Sequence, residues 1–157
     1  MYGIDSVTPT VSKLMGFKLP KNASAKPIKE IVEAAKGKTI KKALLFAPDA
    51  IGEWLFQAHK PEFKDVIAEA PIQVPVRSMV PSYTPVCYGS MFTGMKPSEH
   101  GIIKYMKPVL TVETLFDVAH NAGLKVALVA VKDCSIDLIF RDREINYYTE
   151  KYDPEVN

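Results

Sequence analysis

The sequence predicts an α/β fold in which a mostly parallel sheet lies between layers of helices. Two uninterrupted apolar runs, residues 43–47 and 126–131, have the composition of strands that are buried on both faces. Segments with apolar residues at helical spacing lie between these runs, and such alternation is typical of parallel sheets with right-handed crossovers. We therefore expect a three-layer sandwich with a mostly parallel central sheet flanked by helices, in a single domain over residues 1–157.

The composition excludes several classes of protein. An apolar content of 47% is too high for a disordered chain of 157 residues. No apolar run approaches the roughly 18–20 residues that cross a bilayer. The two cysteines, Cys87 and Cys134, are too few for a disulfide scaffold. We expect no membrane association and a reducing, cytoplasmic setting.

Charge is unevenly distributed along the chain. Between Lys13 and Lys42 there are nine lysines and only two glutamates, whereas the end of the chain is acidic through Glu155. The lysine-rich stretch has no arginine and no aromatic stacking platform. A solvated surface is therefore favoured over a nucleic-acid interface.

The first half of the chain contains four predicted helices. One follows Thr8-Pro9 and ends at Gly16, and the next begins at Pro27 and ends at Gly37. Two short helices follow the first apolar run, one around Trp54 and one around Val66. Residues 72–77 alternate in polarity, but Pro75 restricts them to an edge strand or an extended connection.

The second half contains two more predicted helices. Thr84-Pro85 predicts a helix with Thr84 as its N-cap, and residues 112–119 form an amphipathic helix that ends before Gly123. Weaker extended pieces are expected at residues 138–140 and 145–148.

Candidate site residues follow from where the predicted strands and helices end. Ligands of open parallel sheets bind beyond the carboxyl ends of the strands, which singles out Asp49 and Asp133. For either carboxylate, capping of a turn is the alternative. Thr84 lies at a predicted helix N-terminus, where anions bind, and a divalent cation there would make its hydroxyl a nucleophile toward phosphorus.

The spacing of several motifs resembles the alkaline phosphatase superfamily, in the branch of nucleotide pyrophosphatases and phosphodiesterases. Thr84 stands nine residues before Thr93-Gly94, and Pro97-Ser98-Glu99-His100-Gly101-Ile102 follows in register. Asp49 matches the first metal-binding aspartate of that branch. The resemblance covers about residues 42–131.

This resemblance implies a metal-dependent phosphoric ester hydrolase that acts on phosphate esters or nucleotides. Thr84 would be the nucleophile and a metal contact, Asp49 would be a metal ligand, and two divalent ions, typically zinc, would flank the nucleophile. The substrate-binding residues are not indicated.

The remaining metal ligands of that branch, further aspartates and histidines, have no counterpart here. His59 and His100 lack the expected surroundings, and Asp117 with His120 is interpreted as a surface pair. The chain is therefore expected to be the N-terminal portion of a longer catalytic domain, inactive in isolation and prone to self-association through exposed sheet surface. A non-catalytic α/β binding module that retains the nucleophile-loop motif is the alternative.

Two further hypotheses concern the surroundings of Thr84. Cys87, near the helix N-terminus, is either a reactive thiol with a lowered pKa or, more commonly, a small packing residue. Trp54, Phe56, Tyr83 and Tyr88 either line a slot for a nucleobase or belong to the core.

Overall fold

The structure is a computed structural model that describes residues 1–153, so Glu155 lies outside the described residues. Two 3-10 turns, Ile4–Ser6 and Lys60–Phe63, accompany the regular elements. The helices are α1 (Val7–Met15), α2 (Lys29–Ala34), α3 (Glu53–Ala58), α4 (Lys64–Glu69), α5 (Thr84–Thr93), α6 (Pro97–His100), α7 (Leu115–Asn121) and α8 (Ser135–Ile139). The strands are β1 (Tyr2–Gly3), β2 (Val76–Arg77), β3 (Ala127–Val131) and β4 (Asn146–Glu150).

The strands form two separate parallel pairs. β1 pairs with β2, with Tyr2 opposite Val76, and β3 pairs with β4 from Ala127 opposite Asn146 to Val131 opposite Glu150. Helices and parallel strands confirm the α/β class. The three-layer sandwich with a central sheet is not confirmed, because each sheet of the described chain has two strands.

The prediction of a buried strand at residues 43–47 is wrong. These residues form no strand, and the side chains of Leu44 and Phe46 are 91% and 80% exposed. A strand requires a partner for its backbone hydrogen bonds, and residues 43–47 pair with none of the four strands of residues 1–153. Apolar composition alone does not specify that partner.

Other sequence expectations have mixed outcomes. α1 ends at Gly16 as predicted, in the left-handed conformation with φ of +76°. β2 is an edge strand immediately after Pro75, and β4 overlaps the extended piece expected at 145–148. The extended piece expected at 138–140 is wrong, because residues through Ile139 belong to α8.

The core forms around three phenylalanine rings. Phe92 of α5 stacks on Phe116 of α7 at 4.8 Å between ring centroids, and Phe140 meets both rings edge-on at 5.3 and 5.0 Å. All three side chains are buried. Helix α5 is thereby fixed against α7 and against the chain that leaves α8.

The surface of the β3–β4 pair retains exposed apolar side chains. Val129, Val131 and Tyr148 are 79%, 44% and 61% exposed. Parallel strands are usually covered on both faces. Self-association through this surface stays a prediction.

Among the described residues, no helix has the length and apolarity needed to cross a membrane.

Candidate active site at the N-terminus of α5

Thr84 and Asp49 are brought together although they are 35 residues apart in sequence. The hydroxyl Oγ1 of Thr84 donates a hydrogen bond to Oδ2 of Asp49 at 3.3 Å. Thr84 is the first residue of α5, and Tyr83 rather than Thr84 is the N-cap residue. The hydroxyl is therefore free of a capping role and points to the carboxylate.

The turn after residues 43–47 sets the orientation of Asp49. The second carboxylate oxygen, Oδ1, accepts a hydrogen bond from the Ala50 amide at 2.9 Å, and Ala50 has a left-handed backbone with φ of +60°. The Tyr88 hydroxyl donates to the Ala47 carbonyl at 3.2 Å. Tyr88 lies one turn after Thr84 on the same face of α5, so a single helix face contacts the turn at two points.

Sequence reasoning assigned no positioning role to Tyr88. The signal was its spacing of four residues from Thr84, which places both side chains on one face of a helix. Burial raises the pKa of the Tyr88 phenol, and the nearby Asp49 charge raises it further. Tyr88 therefore acts here as a neutral hydrogen-bond donor.

Cys87 is a packing residue by its contacts. Its half-buried side chain packs against the core cluster. Burial raises the pKa of the Cys87 thiol, and Asp49 adds to the effect, although a backbone hydrogen bond from Met79 opposes it. The hypothesis of a lowered pKa at the helix N-terminus is wrong, because burial and a nearby anion disfavour the thiolate.

The middle of α5 is fixed by a buried histidine. His100 is 5% exposed, and its Nε2 lies 3.0 Å from Oγ of the fully buried Ser90. Its Nδ1 accepts a hydrogen bond from the Ile102 amide at 3.3 Å, which places the ring hydrogen on Nε2 and makes Ser90 the acceptor. A Cβ atom added to Gly89 would lie 2.5 Å from Cε1 of His100, so only glycine fits beside the ring.

Thr93-Gly94 has a structural role at the other end of the helix. Thr93 Oγ1 donates to the Gly89 carbonyl at 2.7 Å and accepts from the Met95 amide at 3.1 Å. Gly94 has φ of +72°, and its carbonyl accepts hydrogen bonds from the amides of Ser24 and Ala25. The motif ends α5 and connects it to the loop before α2.

The other acidic candidates are engaged in ion pairs. Asp133, which the strand-end rule singled out, pairs with Arg141 at 2.6 Å, and Arg141 also holds the buried Asp137 at 2.7 Å. The pKa of Asp137 is lowered by the hydrogen bond from Arg141. Asp133 is therefore engaged in an ion pair with Arg141, whereas Asp49 accepts the hydrogen bond from Thr84.

The histidine candidates also have ordinary partners. Asp117 pairs with Arg143 and accepts hydrogen bonds from the amide and hydroxyl of Thr114 at the start of α7. His120 lies 3.4 Å from the exposed Glu144, and exposed His59 lies 3.0 Å from Glu62. No group of three or more histidine, cysteine, aspartate and glutamate side chains that could hold a metal occurs in residues 1–153.

The four aromatic side chains proposed for a nucleobase slot do not form one set of contacts. Phe56 packs against Phe63 at 5.2 Å, and Tyr83 meets Tyr105 edge-on at 5.9 Å. Trp54 is 75% exposed. Tyr88 instead contacts the turn before Asp49.

Comparison with known proteins identifies the family. The family model for type I phosphodiesterase / nucleotide pyrophosphatase matches residues 45–133, which is more than half of the chain. The chain belongs to the type I phosphodiesterase / nucleotide pyrophosphatase family. No curated protein and no solved structure matches it significantly.

The matched region contains the whole candidate site. It begins four residues before Asp49 and includes Thr84, Thr93-Gly94 and the segment around His100. The resemblance expected from the motif spacing is thereby confirmed. Proteins of this family are generally metal-dependent, and phosphodiesterase or pyrophosphatase activity is characteristic of the type I phosphodiesterase / nucleotide pyrophosphatase family.

Replacing Gly89 with alanine tests the contact with His100. Gly89→Ala should lower the free energy of unfolding by about 1–3 kcal/mol, because the added methyl group overlaps the imidazole ring. In a His100→Ala background the same substitution should be neutral or stabilising, since alanine favours helix. Urea denaturation of the wild type, the two single variants and the double variant gives the coupling energy between positions 89 and 100. If Gly89→Ala lowered the free energy of unfolding equally in both backgrounds, the contact would be contradicted.

Stability should fall in mild acid because of His100. Burial lowers the pKa of His100, so the unfolded chain binds a proton that the folded chain excludes. Stability is therefore lost as pH falls below about 6.5, with a slope of at most about 1.4 kcal/mol per pH unit for this group. His100→Gln should flatten the dependence of the unfolding free energy on pH, whereas exposed His59→Gln should preserve it; matching slopes for both variants would refute the assignment.

Proposed function

We propose that this chain carries the nucleophile half of a metal-dependent phosphodiester hydrolase of the nucleotide pyrophosphatase type. The observation that supports this most directly is the 3.3 Å approach of Thr84 Oγ1 to Asp49 Oδ2 at the start of α5, inside the matched region. The substrate would be a phosphate ester or a nucleotide. Thr84 is the proposed nucleophile and Asp49 the proposed metal ligand.

The donor atoms fit part of the ligand set of one divalent ion. A carboxylate and a hydroxyl are hard oxygen donors, which several divalent ions accept. Asp49 Oδ2 and Thr84 Oγ1, 3.3 Å apart, would hold one divalent ion between them and would supply it with two hard oxygen ligands. Two donors cannot complete two sites, so any second ion, and the identity of both, depends on ligands beyond Asp49 and Thr84.

The residues of this chain contribute position and an attacking oxygen. When bound, the divalent ions would lower the proton affinity of the hydroxyl and offset charge on the phosphoryl oxygens. Thr84 Oγ1 forms a bond to phosphorus as the bond from phosphorus to the ester oxygen breaks. The hydroxyl proton passes to water, and the departing oxygen keeps the bonding electron pair. Water then cleaves the phosphothreonine and restores the hydroxyl.

Helix α5 orients that oxygen. Its N-terminus carries partial positive charge, which stabilises an anionic phosphoryl group next to Thr84. Pro85 in the first turn has no amide hydrogen to leave unsatisfied there. The buried residues of α5 hold the helix in one position, so Thr84 meets the substrate in a fixed geometry.

A second candidate function is a non-catalytic module that retains the motif for packing. Residues 1–153 contain no group of three metal-binding side chains, a feature shared by such a module and by the N-terminal portion of a longer catalytic domain. Such a module would bind a phosphate ligand or a partner without turnover. A complete catalytic domain containing this chain would hydrolyse bis(nitrophenyl) phosphate. A non-catalytic module would not hydrolyse it, either alone or as part of a longer protein.

Turnover in the complete catalytic domain tests the nucleophile. Thr84→Ala should lower kcat at least about a thousandfold, because alanine has no side-chain oxygen that could attack phosphorus. Thr84→Ser keeps a hydroxyl and should retain part of the activity. Ser82→Ala, two residues earlier, is the matched control and should have wild-type activity. Near-normal turnover by Thr84→Ala would remove Thr84 from the mechanism.

Metal binding by the 157-residue chain tests Asp49 without requiring activity. Calorimetric titration with Mn²⁺ or Zn²⁺ should show weak binding, about tenfold weaker in Asp49→Asn because a neutral amide replaces the carboxylate. Thr84→Val should also weaken binding. Asp65→Asn, at an exposed position on α4, is the control. Equal affinities for Asp49→Asn and Asp65→Asn would refute the site, whereas nitrophenyl ester turnover by the wild-type chain would refute the incomplete ligand set.

A further inference from the structure

An apolar groove of about 730 Å³ separates two stretches of the chain. Residues 41–46 form one wall, and residues 124–129, which lead into and form most of β3, form the other. The floor between them includes Phe92, Leu115 and Phe116. We call this feature the apolar groove.

The wall formed by residues 41–46 has an unpaired backbone. None of its amide or carbonyl groups forms a hydrogen bond with the backbone of residues 1–153. Its side chains nevertheless alternate as in a strand, because Leu44 and Phe46 are exposed whereas Leu45 between them packs against the core. The segment therefore has the side-chain pattern of a strand and lacks a strand to pair with.

The other wall is a free sheet edge. The Asn146 amide of β4 donates a hydrogen bond to the Val126 carbonyl, and in a parallel ladder alternate residues point their backbone groups to opposite sides. The amides and carbonyls of Ala127 and Val129 therefore point away from β4, and both residues line the apolar groove. No strand of residues 1–153 pairs with this edge.

The apolar groove has room for one strand. A strand takes up about 3.3 Å of length per residue, 4.8 Å between neighbouring strands and 10 Å through a packed sheet, or roughly 800 Å³ for five residues. The groove volume of about 730 Å³ is close to this value. A peptide strand would cover the apolar floor with one face and would pair with both unpaired backbones along its edges.

We propose that this strand is the segment 41–46 of a second copy of the chain, and that two copies join reciprocally into one sheet. Each copy supplies one unpaired segment and one groove, so the segment of each copy fills the groove of the other. The strand order is then β4, β3, the second copy's segment, the chain's own segment, and β3 and β4 of the second copy. A two-fold axis between the central segments relates the copies, as in other isologous dimers.

Charge favours an antiparallel arrangement of the two central segments. Lys41 and Lys42 are exposed and form no ion pair within residues 1–153. In a parallel pair the lysines of the two copies would lie side by side and repel each other. An antiparallel pair centred on Leu44 separates them and brings Lys41 opposite the second copy's Ala47, toward the carboxylate of the second copy's Asp49.

The same arrangement covers the floor of each groove. A two-fold axis perpendicular to the sheet keeps Leu45 on the core side of the shared sheet, so that Leu45 of each copy packs on the apolar floor of the other. Neither Asp49 nor Thr84 lines the groove, and the dimer is therefore independent of the proposed hydrolase activity.

Disulfide trapping tests the pairing directly. In a Cys87→Ala, Cys134→Ala background, Leu44→Cys should form disulfide-linked dimers on oxidation with copper phenanthroline, because position 44 of one copy faces position 44 of the other. Leu19→Cys, also exposed but outside the groove, is the matched control and should remain monomeric on a non-reducing gel. Equal cross-linking of the two variants would overturn the pairing.

Sedimentation equilibrium of the 157-residue chain measures the association itself. The wild type should dimerise, with the amides of residues 41–46 protected from hydrogen exchange. Leu44→Pro removes a backbone donor from the central pair and should weaken dimerisation at least about tenfold. Thr39→Pro, at an exposed position before the segment, should dimerise like the wild type. Both positions lie outside helices and strands, so the circular dichroism of both variants should match that of the wild type.

Three further results would overturn the proposal. A chain that stays monomeric at high micromolar concentration, with unprotected amides at residues 41–46, would show that no second copy fills the groove. A dimer that Leu44→Pro leaves unchanged would assign the association to another surface, such as the exposed face around Val129. Protection of residues 41–46 in a longer, monomeric protein that contains this chain would assign the groove to a strand of the same polypeptide.

Discussion

The structure depends on the fixed position of α5, and the closest constraint on that helix is the contact between Gly89 and His100. The imidazole ring occupies the space that any larger residue at position 89 would need, and its Nε2 bonds to buried Ser90. Thr93 and Gly94 fix the end of the same helix, and the phenylalanine rings fix its side. A helix held in this way presents Thr84 to Asp49 without further rearrangement.

The amino-acid sequence predicted those features that are encoded locally. Gly16 and Gly94 end helices because they adopt left-handed conformations, and Pro85 marks the start of α5. The spacing from Thr84 to Thr93-Gly94 and His100 indicated the family. One helix and the turn that follows it set that spacing, so it depends on local structure. These signals depend on a few neighbouring residues and on no distant partner.

Features that depend on distant partners were not predictable in the same way. The apolar run at 43–47 resembles a buried strand, yet it pairs with none of the strands in the described residues, and apolar composition does not specify a pairing partner. Asp133 was singled out by its position after a strand, and Arg141 engages it through a contact eight residues away. Of the two alternatives for Cys87, the packing residue is the one that its contacts support, and burial, a tertiary property, raises the pKa of its thiol.

Asp49 and Thr84 supply two oxygen donors, and the proposed hydrolase chemistry requires them to share a divalent cation. Anomalous diffraction from crystals of the complete catalytic domain grown with zinc measures this directly. A shared cation should give a zinc peak within about 2.0–2.2 Å of Asp49 Oδ2 and Thr84 Oγ1. Zinc bound solely at surface pairs such as His59 with Glu62 or His120 with Glu144, with none at Asp49, would contradict it.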